Sequence, residues 1–421
     1  MLRKRFRPRA VYRRRSRSWA HVPLIVVIVV IVLAVVYVAV QLLRPGPAMT
    51  VTPSPVSLRA LPGDPPGAAW PGQGQAAVGM PGVGMLATHG GNQPVAIASV
   101  AKIMTAYVVL RDHPLQTGAV GPSINVSAAD VATYAQDKSQ GESVVKVAAG
   151  EQLSEVQALQ AMLIPSGNNI AAILADWDAG SQTAFVAKMN ADARALGLRD
   201  TSYADASGFE PTTVSTASDQ LRLTLRALQI PVFAQIVAMP QVSLPTAGLT
   251  YNVNDALGHD GIVGVKTGSS PQAGGCLVFS AIRTVAGNQA TIVGVVLGVQ
   301  GTPTQPSELA GVIAASENLL NSVSGDLTQV EVVKAGTVLA TVHSPWATGS
   351  AAVASSGVTV TGWPGMPVTV TVTPLPLGSS ISQGQPVARA TVTAGSDVTQ
   401  IMLHARNAVR SPSVHWLLTR V

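Results

Sequence analysis

The chain has 421 residues, of which 47% are hydrophobic, 11% charged and 4% aromatic, and its formal net charge is +6. That balance excludes a disordered polyelectrolyte and supplies apolar material for two or three domains. Nine Lys or Arg and no acid lie between Arg3 and Arg17; these take +9 out of the +6 and leave −3 for the rest. The basicity therefore belongs to a tail, and the body of the chain carries no charge argument for nucleic-acid binding.

Residues 1–21 read as a basic cytoplasmic tail. Residues 22–43 carry no charge, and Gln41 is their one strongly polar side chain. About 20 such residues cross a bilayer as a helix. The run exceeds the apolar region of a cleaved signal, and no Ala-x-Ala site follows it. The spacing predicts one uncleaved transmembrane anchor, with the N-terminus inside and everything after residue 43 outside. Residues 44–75 are dense in Pro and Gly and read as an extended linker.

Residues 76–323 mix helical and strand patterns and predict an α+β domain with helices around an antiparallel sheet. Residues 152–163 are amphipathic and stopped by Pro165 and Gly167, residues 183–196 form a second helix, and residues 306–323 return to helix. Residues 263–265, 276–283 and 290–299 are β-rich, the last two joined by a hairpin signal at 286–289. After Asp326 the pattern alternates apolar and polar with period two. Residues 327–421 therefore read as a small C-terminal β-sandwich, with no cluster of acids, His or Cys to carry chemistry.

Cys276 is the single cysteine, so no intramolecular disulfide forms. It lies in an apolar strand and reads as a core thiol. There is no His-x-x-x-His or Cys-x-x-Cys pair, and hence no metal site.

Chemistry concentrates in three short motifs. Ser99 and Lys102 open an apolar helical run (residues 97–110). A Ser there serves as a helix cap, or presents a hydroxyl beside unpaired N–H groups, and a Lys three residues on shares its face. An amine in a dry site can lose its proton and activate such a hydroxyl. Ser166-Gly-Asn168 lies in the turn after the amphipathic helix, and Lys266-Thr-Gly268 ends an apolar strand. Each alone is weak, because Ser143–Lys146, Ser123–Asn125 and Ser316–Asn318 repeat the first two patterns. Those three stand in a strand-like run, a turn and a helix interior, out of context or out of order. The ordered set Ser-x-x-Lys, Ser-x-Asn, Lys-Thr-Gly is that of penicillin-binding proteins and class A β-lactamases, with Asp more usual in the middle of the second motif.

The resemblance extends beyond the motifs. Residues 97–110, 163–169, 189–203 and 261–277 resemble the D-alanyl-D-alanine carboxypeptidase family, the low-molecular-mass penicillin-binding proteins, over roughly residues 76–323. The C-terminal β-domain is more loosely similar to that family's layout, whereas the N-terminal anchor departs from its usual C-terminal one. The resemblance implies a β-lactamase/transpeptidase-like fold and a serine peptidase with no cofactor. Peptidoglycan stem peptides would be its substrate and β-lactams its inhibitors. It implies that Ser99 attacks the carbonyl between two D-alanines, Lys102 takes the hydroxyl proton, and Ser166 relays a proton to the leaving amine. Asn168 would orient Lys102 and the substrate amide, Lys266 and Thr267 would hold the terminal carboxylate, and Gly268 would let substrate backbone approach. Backbone N–H groups of Ser99 and Ser269 would bind the oxyanion. Position 269 is a small Ser where the family more often carries His, Tyr or Phe.

The expected function is trimming of terminal D-alanine from stem peptides outside the cell membrane. The alternatives are a D,D-endopeptidase of the same fold and a catalytically inactive penicillin-binding scaffold. A β-lactamase would need a carboxylate for the deacylating water; the stretch after Ser166 offers Asp176 and Asp178 but no Glu-x-x-x-Asn of the expected sort.

Overall fold

The computed structural model describes residues 21–55, 60–64, 66–81, 83–301, 307–395 and 397–420; most of the basic tail lies outside the described residues. The first part of the chain runs α1 (Val22–Leu43), β1 (Thr50–Pro53), β2 (Gln75–Met80), β3 (Gly84–His89), β4 (Val95–Ala96), a 3-10 turn (Ala98–Ala101) and α2 (Lys102–Asp112). Then come β5 (Ser123–Asn125), α3 (Ala128–Ser139), β6 (Gln152–Ser154), α4 (Glu155–Leu163), α5 (Asn168–Ala179) and α6 (Gln182–Ala195). They are followed by β7 (Val214–Ser215), α7 (Ala217–Ala227), α8 (Pro231–Val237), β8 (Gln241–Leu244) and β9 (Gly248–Tyr251).

A five-stranded antiparallel sheet organises residues 75–324. Its strand order is β10-β11-β12-β2-β3, where β10 is Ile262–Ser270, β11 Gly274–Val285 and β12 Asn288–Val299. Both faces are covered, which is why β11 and β12 read as unbroken apolar runs. Cys276, Val278, Val293 and Val295 face a core shared with α2, α4, α5, α7 and α8. Leu277, Phe279, Ile292 and Val296 face α9 (Glu308–Ser324) through Val312, Leu319 and Leu320. The β11–β12 hairpin turns at Ala286-Gly287, both with positive φ (48° and 85°). Positive φ at both central residues suits a two-residue turn between twisted strands.

Two expected elements differ. The helix expected over 152–163 begins only at Glu155, because Ser154 and Gln157 form a reciprocal capping box and residues 152–154 pair with β5. The alternating run at 143–148 is irregular, its backbone bonded to the Asn169 side chain rather than to a neighbouring strand.

The C-terminal part pairs β13 (Thr328–Val333) with β16 (Val358–Gly362) beside a six-stranded sheet. That sheet has the order β1-β14-β15-β19-β18-β17, with β14 Val338–His343, β15 Ser350–Ala354, β17 Val368–Pro374, β18 Pro386–Ala394 and β19 Asp397–Ala405. Its edge strand β1 comes from the segment expected to be a bare linker: Thr50–Pro53 pairs in register with residues 340–343, and Leu61 N–H donates to Met366 O. The short Thr-Val-Thr alternation there is hidden among prolines. The chain thus leaves α1, adds an edge to the C-terminal sheet, and only then enters the central sheet. Fully buried Trp363 donates its indole N–H to Val323 O (2.6 Å) and ties the β-rich part to α9. α10 (Val414–Thr419) returns to α1, where Tyr37 OH donates to Leu418 O.

Among the described residues α1 is the one helix long and apolar enough to cross a membrane, with a mean hydropathy of 3.3 and no part of that window buried in the protein.

Candidate active site

Ser99 sits in the 3-10 turn rather than at the helix N-cap, and its side chain caps nothing. The cap reading is therefore corrected. The turn is held in an unusual geometry: Ala98, immediately before Ser99, has φ 45°. A non-glycine residue in the left-handed region persists only where its surroundings over-determine it, and here two glycines press on the turn. A Cβ on Gly208 would lie 1.9 Å from Ala98 O. A Cβ on Gly268 would lie 2.9 Å from Ser99 N and 3.0 Å from Ile97 O. Gly268 therefore lies directly against the turn that carries Ser99.

Lys102, the first residue of α2, is fully buried. Its Nζ lies 2.8 Å from Ser99 Oγ, 2.6 Å from Asn168 Oδ1 and 3.1 Å from Ser207 O. Burial, then the nearby positive charge of Lys266, hold its pKa well below the ordinary lysine range. A neutral amine has two N–H groups and one lone pair. In that form, with Asn168 Oδ1 and Ser207 O accepting the two N–H bonds, the lone pair would face Ser99 Oγ.

Lys266 and Thr267 are buried in β10, beside the 3-10 turn, and Ser269 is exposed at the strand's end. Lys266 Nζ donates to Thr267 O (2.9 Å), and burial lowers its pKa to about 7. Asn168 opens α5, 7% exposed, with its N–H on Ser143 O at 2.7 Å. Ser166 is buried with φ 66°. Among the described residues it is not a hydrogen-bond partner of Lys102, whose contacts go to Ser99, Asn168 and Ser207. Asp176 and Asp178 lie on α5, eight or more residues beyond Asn168, which at 1.5 Å per residue is about 12 Å or more away. Asp178 is paired with Lys188 (2.7 Å).

Sequence reasoning missed the loop at 205–209. Asp205 accepts from Ser207 N–H (3.1 Å), Ser207 Oγ–H (2.6 Å) and Phe209 N–H (2.9 Å), which holds Ser207 O against Lys102. Asp-Ala-Ser-Gly is legible as a turn, but nothing in it says what the turn faces. Glu142 was missed as well; its Oε2 accepts from Asn168 Nδ2 at 2.6 Å. Among the described residues no group of three or more His, Cys, Asp or Glu is placed to hold a metal.

The family profile described as D-alanyl-D-alanine carboxypeptidase matches residues 83–301, more than half of the chain. The chain belongs to the D-alanyl-D-alanine carboxypeptidase family. Its relatives within that family include a D-alanyl-D-alanine endopeptidase of Pseudomonas aeruginosa, 34% identical over 192 residues (44% of this chain, 59% of the relative). They also include a D-alanyl-D-alanine carboxypeptidase of Streptomyces sp., 32% identical over 227 residues (50% of this chain, 75% of the relative). The chain thus spans less than two thirds of the first of these relatives. Among solved structures, a variant of a Streptomyces DD-transpeptidase matches 59% of this chain and 96% of its own with a TM-score of 0.52 at 26% identity. A peptidoglycan synthesis regulatory factor from Streptococcus pneumoniae shares the fold over 81% of this family member, with a TM-score of 0.61 at 20% identity.

Proposed function

We propose that the chain is a membrane-anchored serine D-Ala-D-Ala carboxypeptidase that removes the terminal D-alanine from peptidoglycan stem peptides outside the cytoplasm. The observation that carries this reading is the 2.8 Å approach of Lys102 Nζ to Ser99 Oγ, with Asn168 Oδ1 (2.6 Å) and Ser207 O (3.1 Å) as the other partners of that amine.

Lys102 takes the Ser99 proton as Oγ bonds to the carbonyl carbon. The C–N bond then breaks, the proton passes to the departing D-alanine amine, and an ester on Ser99 remains. Water cleaves that ester by the reverse proton path and restores the free hydroxyl. Lys266, in its charged form, and Thr267 hold the terminal carboxylate. The N–H groups of Ser99 and Ser269 receive the oxyanion, each such donor being worth about 100- to 1000-fold in rate. Ser166 is assigned the relay to the leaving amine. Residues 76–323 form the catalytic unit and residues 327–421 an accessory β-domain. α1 spans the membrane, and the basic tail holds the N-terminus on the cytoplasmic side.

The test is labelled penicillin. Wild type is expected to gain one adduct on the peptide carrying Ser99, and Ser99→Ala none; absence of the first, or survival of label in the second, ends the reading. A second reading, a D,D-endopeptidase, is favoured by the name of the 34%-identical Pseudomonas relative. Digestion of purified cross-linked muropeptide dimers separates the two, since only the endopeptidase releases monomers.

A further inference from the structure

Asn168 has to present its carbonyl oxygen, not its amino group, to Lys102. A side-chain amide is nearly symmetric in shape, and what decides its orientation is the partner on the far side. That partner is Glu142, whose Oε2 accepts from Asn168 Nδ2 at 2.6 Å. Glu142 follows α3 through the turn at Gly141 (φ 79°), its own N–H held on Asp137 O at 3.1 Å. The same segment is pinned to the start of α5 by Asn168 N–H on Ser143 O (2.7 Å) and by Asn169, which bonds both Val145 N–H and Val145 O (2.9 Å each). Glu142 is therefore held in place, and only part of it reaches solvent, through a cavity of about 140 Å³.

We infer that Glu142 is a positioning residue for acyl transfer: its carboxylate locks the Asn168 amide so that Oδ1 faces Lys102, and its charge adjusts how readily Lys102 gives up its proton. The inference rests on the proposed Ser99–Lys102 chemistry. The chain of contacts is Glu142 to Asn168 Nδ2, then Asn168 Oδ1 to Lys102 Nζ, then Nζ to Ser99 Oγ. The charged groups around Glu142 are Asp137 from α3, Asp205 and Glu210 from the loop before β7, and Lys102 from α2; Lys266 of β10 also acts on the Lys102 amine. Glu142 and Asp205 favour the charged amine, whereas burial and Lys266 disfavour it. Burial also holds the Glu142 carboxyl above its ordinary range, so it too gains a proton on the acid side. A protonated Glu142 no longer offers the charged acceptor that holds the amide.

The experiment measures penicillin acylation rate against pH for the full-length chain, Glu142→Gln and Glu142→Ala, normalised to folded protein by thermal melt. Gln keeps an acceptor for Asn168 but has no charge. It is expected to stay within about threefold of wild type at the optimum and to move the acid limb to lower pH, because the anion that favoured protonated Lys102 is gone. Ala frees the amide and is expected to slow acylation roughly ten- to hundredfold, the usual cost of removing the partner that orients a functional side chain. A purely structural Glu142 would lower the melting temperature while leaving the rate per folded molecule and the acid limb at wild-type values in both variants. That result overturns the inference while the Ser99 reading stands. Failure of the wild type to acylate overturns both.

Discussion

Lys102 Nζ and Ser99 Oγ are 2.8 Å apart at the junction of a 3-10 turn and a buried helix, with no other basic side chain among the hydrogen-bond partners described for that hydroxyl. In the proposed reaction the base is therefore this amine, which has to lose its proton inside the protein. Arg retains charge and length but cannot deprotonate. Lys102→Arg is expected to slow penicillin acylation by about 100- to 10,000-fold, the range for loss of a general base. Intact-mass time courses measure it, and an Arg variant acylating at the wild-type rate would remove Lys102 from the role.

The two buried lysines ask opposite things of pH. In the proposed mechanism Lys102 has to be neutral, whereas Lys266 has to be charged to hold a carboxylate, and burial lowers the Lys266 pKa to about 7. For a peptide ending in free D-alanine, kcat/KM is expected to fall on the alkaline side as Lys266 loses its proton, mainly through KM. An analogue with an amidated C-terminus, slower throughout, should lack that limb. Stability follows with a definite sign. Above about pH 7 and below the ordinary lysine range, the unfolded chain binds the proton that folded Lys266 has lost, so the Lys266 contribution to stability rises with pH. Lys266→Met should make that rise shallower in a series of thermal melts across the window, and the part that remains belongs to Lys102, whose pKa is also lowered.

Gly268 is needed because β10 lies directly on the turn that carries Ser99. A methyl group there would meet Ser99 N at 2.9 Å and Val100 N at 3.1 Å, both backbone atoms that cannot swing aside. Gly268→Ala is expected to displace Ser99 by a fraction of an ångström to an ångström and to cost on the order of 100-fold in acylation. Circular dichroism should stay near wild type, because β10 remains paired with β11 over its length. An Ala variant with the wild-type rate would show that the turn yields freely.

Much of this arrangement is legible in one dimension because three segments carry side chains whose types are unusual for their settings. A Lys at the head of an apolar helix and another inside an apolar strand are expensive to bury, and such residues mark a site. What escaped were the groups that work through position alone. Glu142 stands in an irregular loop, Asp205 in an ordinary turn, and Ser207 contributes only a backbone oxygen. None has a periodicity or a local partner, and their roles appear only when 66 and 105 residues of separation close onto Lys102. β1 was hidden for a different reason. Four residues of alternation among prolines are too few to announce a strand, and the pairing that makes them one lies almost 300 residues away.

Glu155 offers a test remote from the chemistry. It is fully buried at the start of α4, against Gly121, and neither carboxylate oxygen has a hydrogen-bond partner among the described residues. Burial, reinforced by the negative charge of Asp178, lifts its pKa to about 7. The folded chain therefore binds more protons than the unfolded one between the ordinary carboxylate range and about pH 7. Across that interval stability falls as pH rises, the opposite slope to that of Lys266 above it. Glu155→Met keeps much of the volume and removes the buried polar group, at the loss of an acid that favours a helix N-terminus. The variant is expected to gain about 1–3 kcal/mol over wild type at pH 8, the scale of an unsatisfied buried polar group, and markedly less at pH 5. Denaturant unfolding at the two pH values measures it. A difference between Met variant and wild type that does not change with pH would mean that Glu155 titrates as an ordinary exposed carboxylate.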